Sequence, residues 1–201
     1  MRYGIDEAIS GISSAKPIVA GRLLTRVLLL GAASTLVATP AMAATQGTLG
    51  ATSTGTVAIS VTVPSRVQIT GLTDITFNNV EPNVQASASQ SNCVWSNTAT
   101  KGYTITATGD GTGGAFTLKS GSLTPIAYGV QWNQSSGQSS GTALTAATAS
   151  SGFVSTATLP ACVSAPSATS SLVVTIAPAQ LENMASQTAY TGTLTLLVSP
   201  L

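Results

Sequence analysis

The sequence predicts an all-β sandwich of seven to nine short antiparallel strands. Three observations lead there. Val, Ile and Leu alternate with Thr, Ser and Ala in short segments, the period-two pattern of a strand with one buried face. Clusters of Gly, Pro, Asn and Asp separate these segments at sandwich spacing. Only one stretch, Pro178 to Ser186, has helical character, two turns at most, and no internal repeat is present.

The most regular element comes first. Thr56 to Val63 reads T-V-A-I-S-V-T-V, so Val57, Ile59, Val61 and Val63 project from one side of an extended strand and Ala58, Ser60 and Thr62 from the other, with Pro64 as the stop. Arg66 to Ile69 and Ile75 to Val80 follow as extended segments, separated by a bend over residues 70–74. Asn92 to Asn97 surrounds Cys93 and Trp95. In Gly102 to Thr108, Tyr103, Ile105 and Ala107 alternate with three threonines. The glycine-rich run 109–114 is a turn into Ala115 to Lys119, so those two strands are expected to form a hairpin.

Pro125 to Trp132 is another strand. Residues 133–150 are nearly all Ser, Gly, Gln, Thr and Ala, the composition of an exposed connection with at most a short strand inside it. Phe153 to Leu159 and Ser171 to Ala177 are strands, and Tyr190 to Val198 is the last. In it Tyr190, Gly192, Leu194, Leu196 and Val198 face one way and Thr191, Thr193 and Thr195 the other. The pattern is that of an immunoglobulin-like sandwich.

The first 43 residues carry export signals. Lys16, Arg22 and Arg26 supply basic charge, Val27 to Val37 an apolar run too short to span a bilayer, and Ala41-Met42-Ala43 a small-x-small cleavage site. The stretch before Arg22 is long for such a leader and contains Asp6 and Glu7, which fits a translation start downstream of Met1. No Cys follows the apolar run, which argues against a lipoprotein, and no later stretch is long enough for an integral membrane segment. Residues 44–201 are then one sandwich-sized domain. That part sets Arg66, Lys101 and Lys119 against Asp74, Glu81, Asp110 and Glu182, a net charge of −1 that offers no basic face to nucleic acid.

Cys93 and Cys162 are the only cysteines, and an even count in an exported chain favours a disulfide between them. Closing so long a loop stabilises by roughly 4 kcal/mol in the chain-entropy account. The chain contains no histidine, which removes the usual general base, the Ser-His and Cys-His pairs and the commonest zinc ligand. The four carboxylates sit in or beside turns, where solvated acids are ordinary. No catalytic residue, metal site or cofactor is therefore expected. Gly109-Asp110-Gly111-Thr112-Gly113-Gly114 matches the dinucleotide fingerprint in letters, but a strand rather than a helix follows it, so a turn is the better reading. Trp95, Trp132, Tyr103 and Tyr128 are read as packing residues in preference to a sugar platform, and nothing marks Lys101 or Lys119 for an isopeptide crosslink.

V-A-I-S-V-T-V-P-S-R-V-Q-I at 57–69, L-T-P-I-A-Y-G-V-Q-W at 123–132 and A-Y-T-G-T-L-T-L-L-V at 189–198 together resemble pilins of the chaperone-usher pathway. The alternate and archaic classes and the related spore-coat-U-like secreted domains are the most similar, over most of residues 54–199. The positions of Cys93 and Cys162 depart from the archaic pattern, in which a cysteine often lies near the first strand. The resemblance implies an incomplete sandwich whose apolar groove is held by a periplasmic chaperone and, after passage through an outer-membrane usher, filled by the next copy's N-terminal strand in a surface fibre. Val57, Ile59, Val61 and Val63 would be the groove-filling side chains, and Tyr190, Leu194, Leu196 and Val198 would edge the groove. Burying the four donor side chains is worth about 6 to 12 kcal/mol before association costs. A self-contained secreted binding module, whose first strand closes its own sheet, asks the same of residues 56–63, so both readings stay open here.

N-terminal sequencing of the exported protein should begin at Ala44. Recovery of residues preceding Arg22 in the mature protein contradicts the export reading.

Overall fold

The computed structural model describes residues 43–163 and 166–201. The signal-peptide reading of residues 1–43 therefore lies outside the described residues, Ala43 excepted. Two compact units divide the chain, the first ending at Ser60 and the second beginning at Val61. In the described part of the first, Thr45 and Thr56 form an isolated antiparallel bridge, with both backbone hydrogen bonds at 3.0 Å and the two hydroxyls 2.9 Å apart.

The second unit is a β-sandwich. Its strands are β1 (Val67–Thr70), β2 (Ala86–Ser96), β3 (Gly102–Gly109), β4 (Thr117–Leu118), β5 (Ile126–Ala127), β6 (Gly129–Asn133), β7 (Thr142–Ala143), β8 (Phe153–Val154), β9 (Ser170–Ile176) and β10 (Leu194–Pro200), with one helical turn, α1 (Pro178–Leu181). Every pairing is antiparallel. One sheet has the order β1-β2-β9-β6-β7, the opposing sheet β10-β3-β8, and β4 and β5 form a small third ladder. The expected all-β sandwich is present. Its ten strand segments exceed the seven to nine expected, because the segment Pro125–Trp132 breaks at Tyr128, whose N–H turns to the Phe116 carbonyl, and because β7 forms inside the polar connection.

The core is built by alternation. Val94, Val130, Trp132, Leu172, Val174 and Ile176 of the larger sheet meet Tyr103, Ile105, Ala107 and Phe153 of the smaller. Trp132 is fully buried and donates its indole N–H to the Tyr103 hydroxyl at 3.1 Å, a polar link across the layers. Tyr103 in turn packs on Phe153 with ring centroids 5.8 Å apart. A smaller cluster contains the disulfide: Cys93 of β2 is bonded to Cys162, with Cα atoms 6.4 Å apart, beside Ala157 and Trp95. The bridge ties β2 to the long connection after β8 and closes a loop of sequence separation 69.

Several expected elements differ. Residues 57–66 belong to no sheet, although they carry the clearest alternation in the chain. Strand β2 begins at Ala86 rather than Asn92: its first half, A-S-A-S-Q-S, has no large apolar side chain of its own and is held opposite Leu172, Val174 and Ile176 of β9. The hairpin expected between β3 and residues 115–119 does not form. One edge of β3 is taken by all seven residues of β10, and β4 pairs with β5 instead. The glycine-rich run is a turn capped by a short 3-10 segment at Thr112–Gly114, with positive φ at Gly113 and Gly114. Phe153–Leu159 shortens to Phe153–Val154, since Ser155 donates to the Val94 carbonyl and its own N–H goes to Lys101. The helical stretch is one turn, and α1 starts on Pro178, where no N–H is lost to the ladder.

Burial raises the Tyr103 pKa above its usual 10, with the Trp132 hydrogen bond opposing it. A raised folded-state pKa means that the stabilisation is complete below pH 10 and is lost as pH climbs through the folded value. Urea unfolding should give constant stability from neutral pH to about pH 10 and a decline above it, one in which Tyr103 takes part. Tyr103→Phe should cost about 1–3 kcal/mol at neutral pH, since the buried indole N–H loses its acceptor, and should make the alkaline decline shallower. A decline of wild-type slope in this variant contradicts the assignment.

Candidate functional site

The sandwich is open along one side. Among the described residues, β10 bonds to β3 on one edge and to no strand on the other. Beside it lies a groove of about 660 Å³. Also lining the groove, residues 74–80 join no ladder, and Ile75, Phe77 and Val80 lean half-buried against the core. Leu172, Val174 and Ile176 of β9 form its floor, with Leu118, Tyr128, Leu181 and Met184 contributing to its walls. A strand of about seven residues matches the length of β10, Leu194–Pro200.

Local interactions hold the rims. The Gln90 side chain grips one end of the first rim: Oε1 accepts from the Thr73 N–H and hydroxyl, both at 2.7 Å, and Nε2 donates to the Thr73 carbonyl at 3.0 Å. On the other rim, Lys119 and Thr191 exchange backbone hydrogen bonds of 2.8 and 2.9 Å, and Gly192 lies so close to β4 that a Cβ there would stand 2.7 Å from the Thr117 carbonyl oxygen. That pairing draws residues 190–193 away from β3, which is why β10 starts at Leu194 and not at Tyr190. The Tyr190 hydroxyl accepts from the Ala185 N–H at 3.2 Å, which fixes the ring at the groove's end. Tyr128 stacks on Phe116 at 5.6 Å, and burial, followed by the charge of Asp110, raises its pKa.

The sequence singles out four residues beside this groove. Tyr190, Leu194 and Leu196 line it; Val198 packs half-buried against the same core beyond its lining. Val57, Ile59, Val61 and Val63 are exposed at 76, 92, 87 and 73 %. For apolar side chains in such close alternation these values leave most of their surface in water, and the stretch that carries them has no ladder partner. Sequence reasoning missed the first rim as part of a site. The signal was present in Ile75-Thr76-Phe77, which alternates between Asp74 and the turn at Asn78-Asn79, where Asn79 has a φ of 51°.

The groove is lined by apolar side chains together with Thr73, Asp74, Asn78, Gln90 and Thr193. Asp74, Glu81, Asp110 and Glu182 are exposed, and among the described residues no three Cys, Asp or Glu side chains gather where a metal ion could be held. Trp132, Tyr103 and Tyr128 are buried, and Trp95 packs on the disulfide, so the four do not form a surface platform. The Lys101 amine approaches the Ala157 carbonyl and the Lys119 amine the Asp110 carbonyl, both backbone acceptors. Among the described residues no helix is long and apolar enough to cross a membrane. No protein-family model matches the chain, and no curated protein does.

Proposed function

We propose that this protein is a structural subunit of a pilus or surface fibre, assembled by insertion of the N-terminal strand of one copy into the groove of another. One observation carries the reading. The groove lies between an unpaired strand edge and an apolar rim, while the chain's most regular apolar strand, residues 57–63, is exposed and outside every sheet. The two features are complementary: β10 offers backbone donors and acceptors, the floor offers apolar surface, and Val57, Ile59, Val61 and Val63 would supply side chains every second residue. A self-contained binding module would bury those four side chains in its own sheet, and their exposure speaks against that alternative.

Such a subunit needs protection of its groove before assembly. A periplasmic chaperone would shield it and an outer-membrane usher would order the exchange, with the cell surface as the destination. The Cys93–Cys162 disulfide is consistent with an oxidising compartment along that route.

Electrophoresis of unboiled samples, with circular dichroism of the purified subunit, tests the reading. Wild-type protein should give a ladder of heat-labile multimers. Ile59→Asp should fold like wild type, because the position is exposed in the subunit, yet give no ladder, because a charge carried into an apolar groove costs several kcal/mol. Wild-type protein that stays monomeric under all assembly conditions, or an Ile59→Asp subunit that polymerises normally, contradicts it.

A further inference from the structure

We infer that the Asn97 side-chain amide is a clamp that sets the stiffness of the joint between a subunit's donated strand and its own sandwich; the inference rests on the fibre reading. Asn97 follows the last residue of β2, whose ladder with β1 ends at the Val67–Ser96 pair. Three hydrogen bonds continue the hold beyond that pair. The Asn97 backbone N–H donates to the Arg66 carbonyl at 3.1 Å, Oδ1 accepts from the Arg66 N–H at 2.6 Å, and Nδ2 donates to the Pro64 carbonyl at 2.9 Å. A carboxamide presents an acceptor and a donor side by side, as a neighbouring strand's backbone would. Pro64 has a fixed φ and no N–H. It is the last residue held on this side of the donated strand, since residues 57–63 are in no ladder.

The mechanical consequence follows from which torsions remain available. Once residues 57–63 are locked into a neighbouring copy, bending between copies is absorbed by backbone that neither side holds. With the clamp in place that stretch ends at Pro64. Without the side chain it extends through Pro64 and Ser65 to Arg66, whose carbonyl still accepts from the Asn97 backbone N–H. The three bonded groups lie at the surface, away from the apolar core, so the clamp acts on the joint and contributes little to the fold. Gln90 makes the equivalent grip on Thr73 at the far end of β1, where it holds a groove rim and not the joint.

The test is the bending persistence length of fibres of full-length protein in electron micrographs, together with unboiled electrophoresis and thermal unfolding. Releasing the torsions of two residues in Asn97→Ala should reduce the persistence length by roughly two-fold or more, with the multimer ladder and the unfolding temperature of the subunit unchanged. Asn97→Asp, which still accepts from Arg66 but cannot donate to Pro64, should fall between Asn97→Ala and wild type. Asn133→Ala, which removes an exposed carboxamide bond to the Ser140 carbonyl outside the groove lining and the joint, should keep the wild-type persistence length. Fibres of Asn97→Ala as stiff as wild type overturn the inference alone, as does equal softening by Asn133→Ala. Loss of fold in both Asn97 variants also overturns it, by making Asn97 a folding residue. Wild-type protein that forms no fibres overturns this inference and the fibre reading together.

Discussion

A β-sandwich is stable when both inner faces are covered and its strand edges are paired or protected, and this chain leaves one edge unfinished. Leu172, Val174 and Ile176 of the larger sheet, buried in the shared core, also line the groove beside β10, the last strand of the smaller sheet. Much else in the molecule is arranged around that gap. Gln90 holds one rim, the Lys119–Thr191 pair with close-packed Gly192 sets where β10 begins, and Tyr190 stops the groove at one end. The unpaired edge of β10 leaves backbone donors and acceptors free to bond another strand, and the proposed exchange rests on it.

The remainder of the sandwich is well determined without that strand. The indole of Trp132 and the hydroxyl of Tyr103 join the layers at their centre, and the disulfide anchors the connection after β8 to β2. Where β9 opens with Thr169, Ser170 and Ser171, each hydroxyl finds a partner: Val94, Asn92 and Ser135 carbonyls accept them. Buried hydroxyls so satisfied add order to that half of the sheet at little energetic cost. At the groove the hydrogen bonds lie on the rims, from Gln90 to Thr73, between Lys119 and Thr191 and from Ala185 to Tyr190.

Much of this was legible in the sequence, and the failures have particular causes. Period-two alternation found β3, β6, β9 and β10, because each puts large apolar residues on one face and mostly Thr, Gln or Ser on the other, Val173 of β9 and Leu197 of β10 excepted. It missed residues 86–91, where the side chains are small and the strand is imposed by β9. It misjudged β3 and β4 as a hairpin, since a glycine-rich turn reports a change of direction and says nothing about which edge is already occupied by a strand from the far end of the chain. Export and cleavage rest on residues 1–43 and have no structural counterpart. The alternation at Val57 to Val63 predicts a strand, residues 57–66 join no sheet among the described residues, and alternation alone cannot reveal where a partner lies. The exposure of those side chains and the unpaired edge of β10 are the observations that the proposal rests on.

The most direct test places one thiol on each side of the proposed contact. One population of subunits carries Cys in place of Ile59 or Val61; a second, distinguishable by isotope label, carries Cys in place of Leu194 or Leu196. Assembled together, oxidised, and mapped by mass spectrometry, they should yield disulfides between a labelled and an unlabelled copy. Crosslinks confined to a single chain, obtained when both substitutions are put in one molecule at high dilution, or no crosslink at any pairing, would contradict the account.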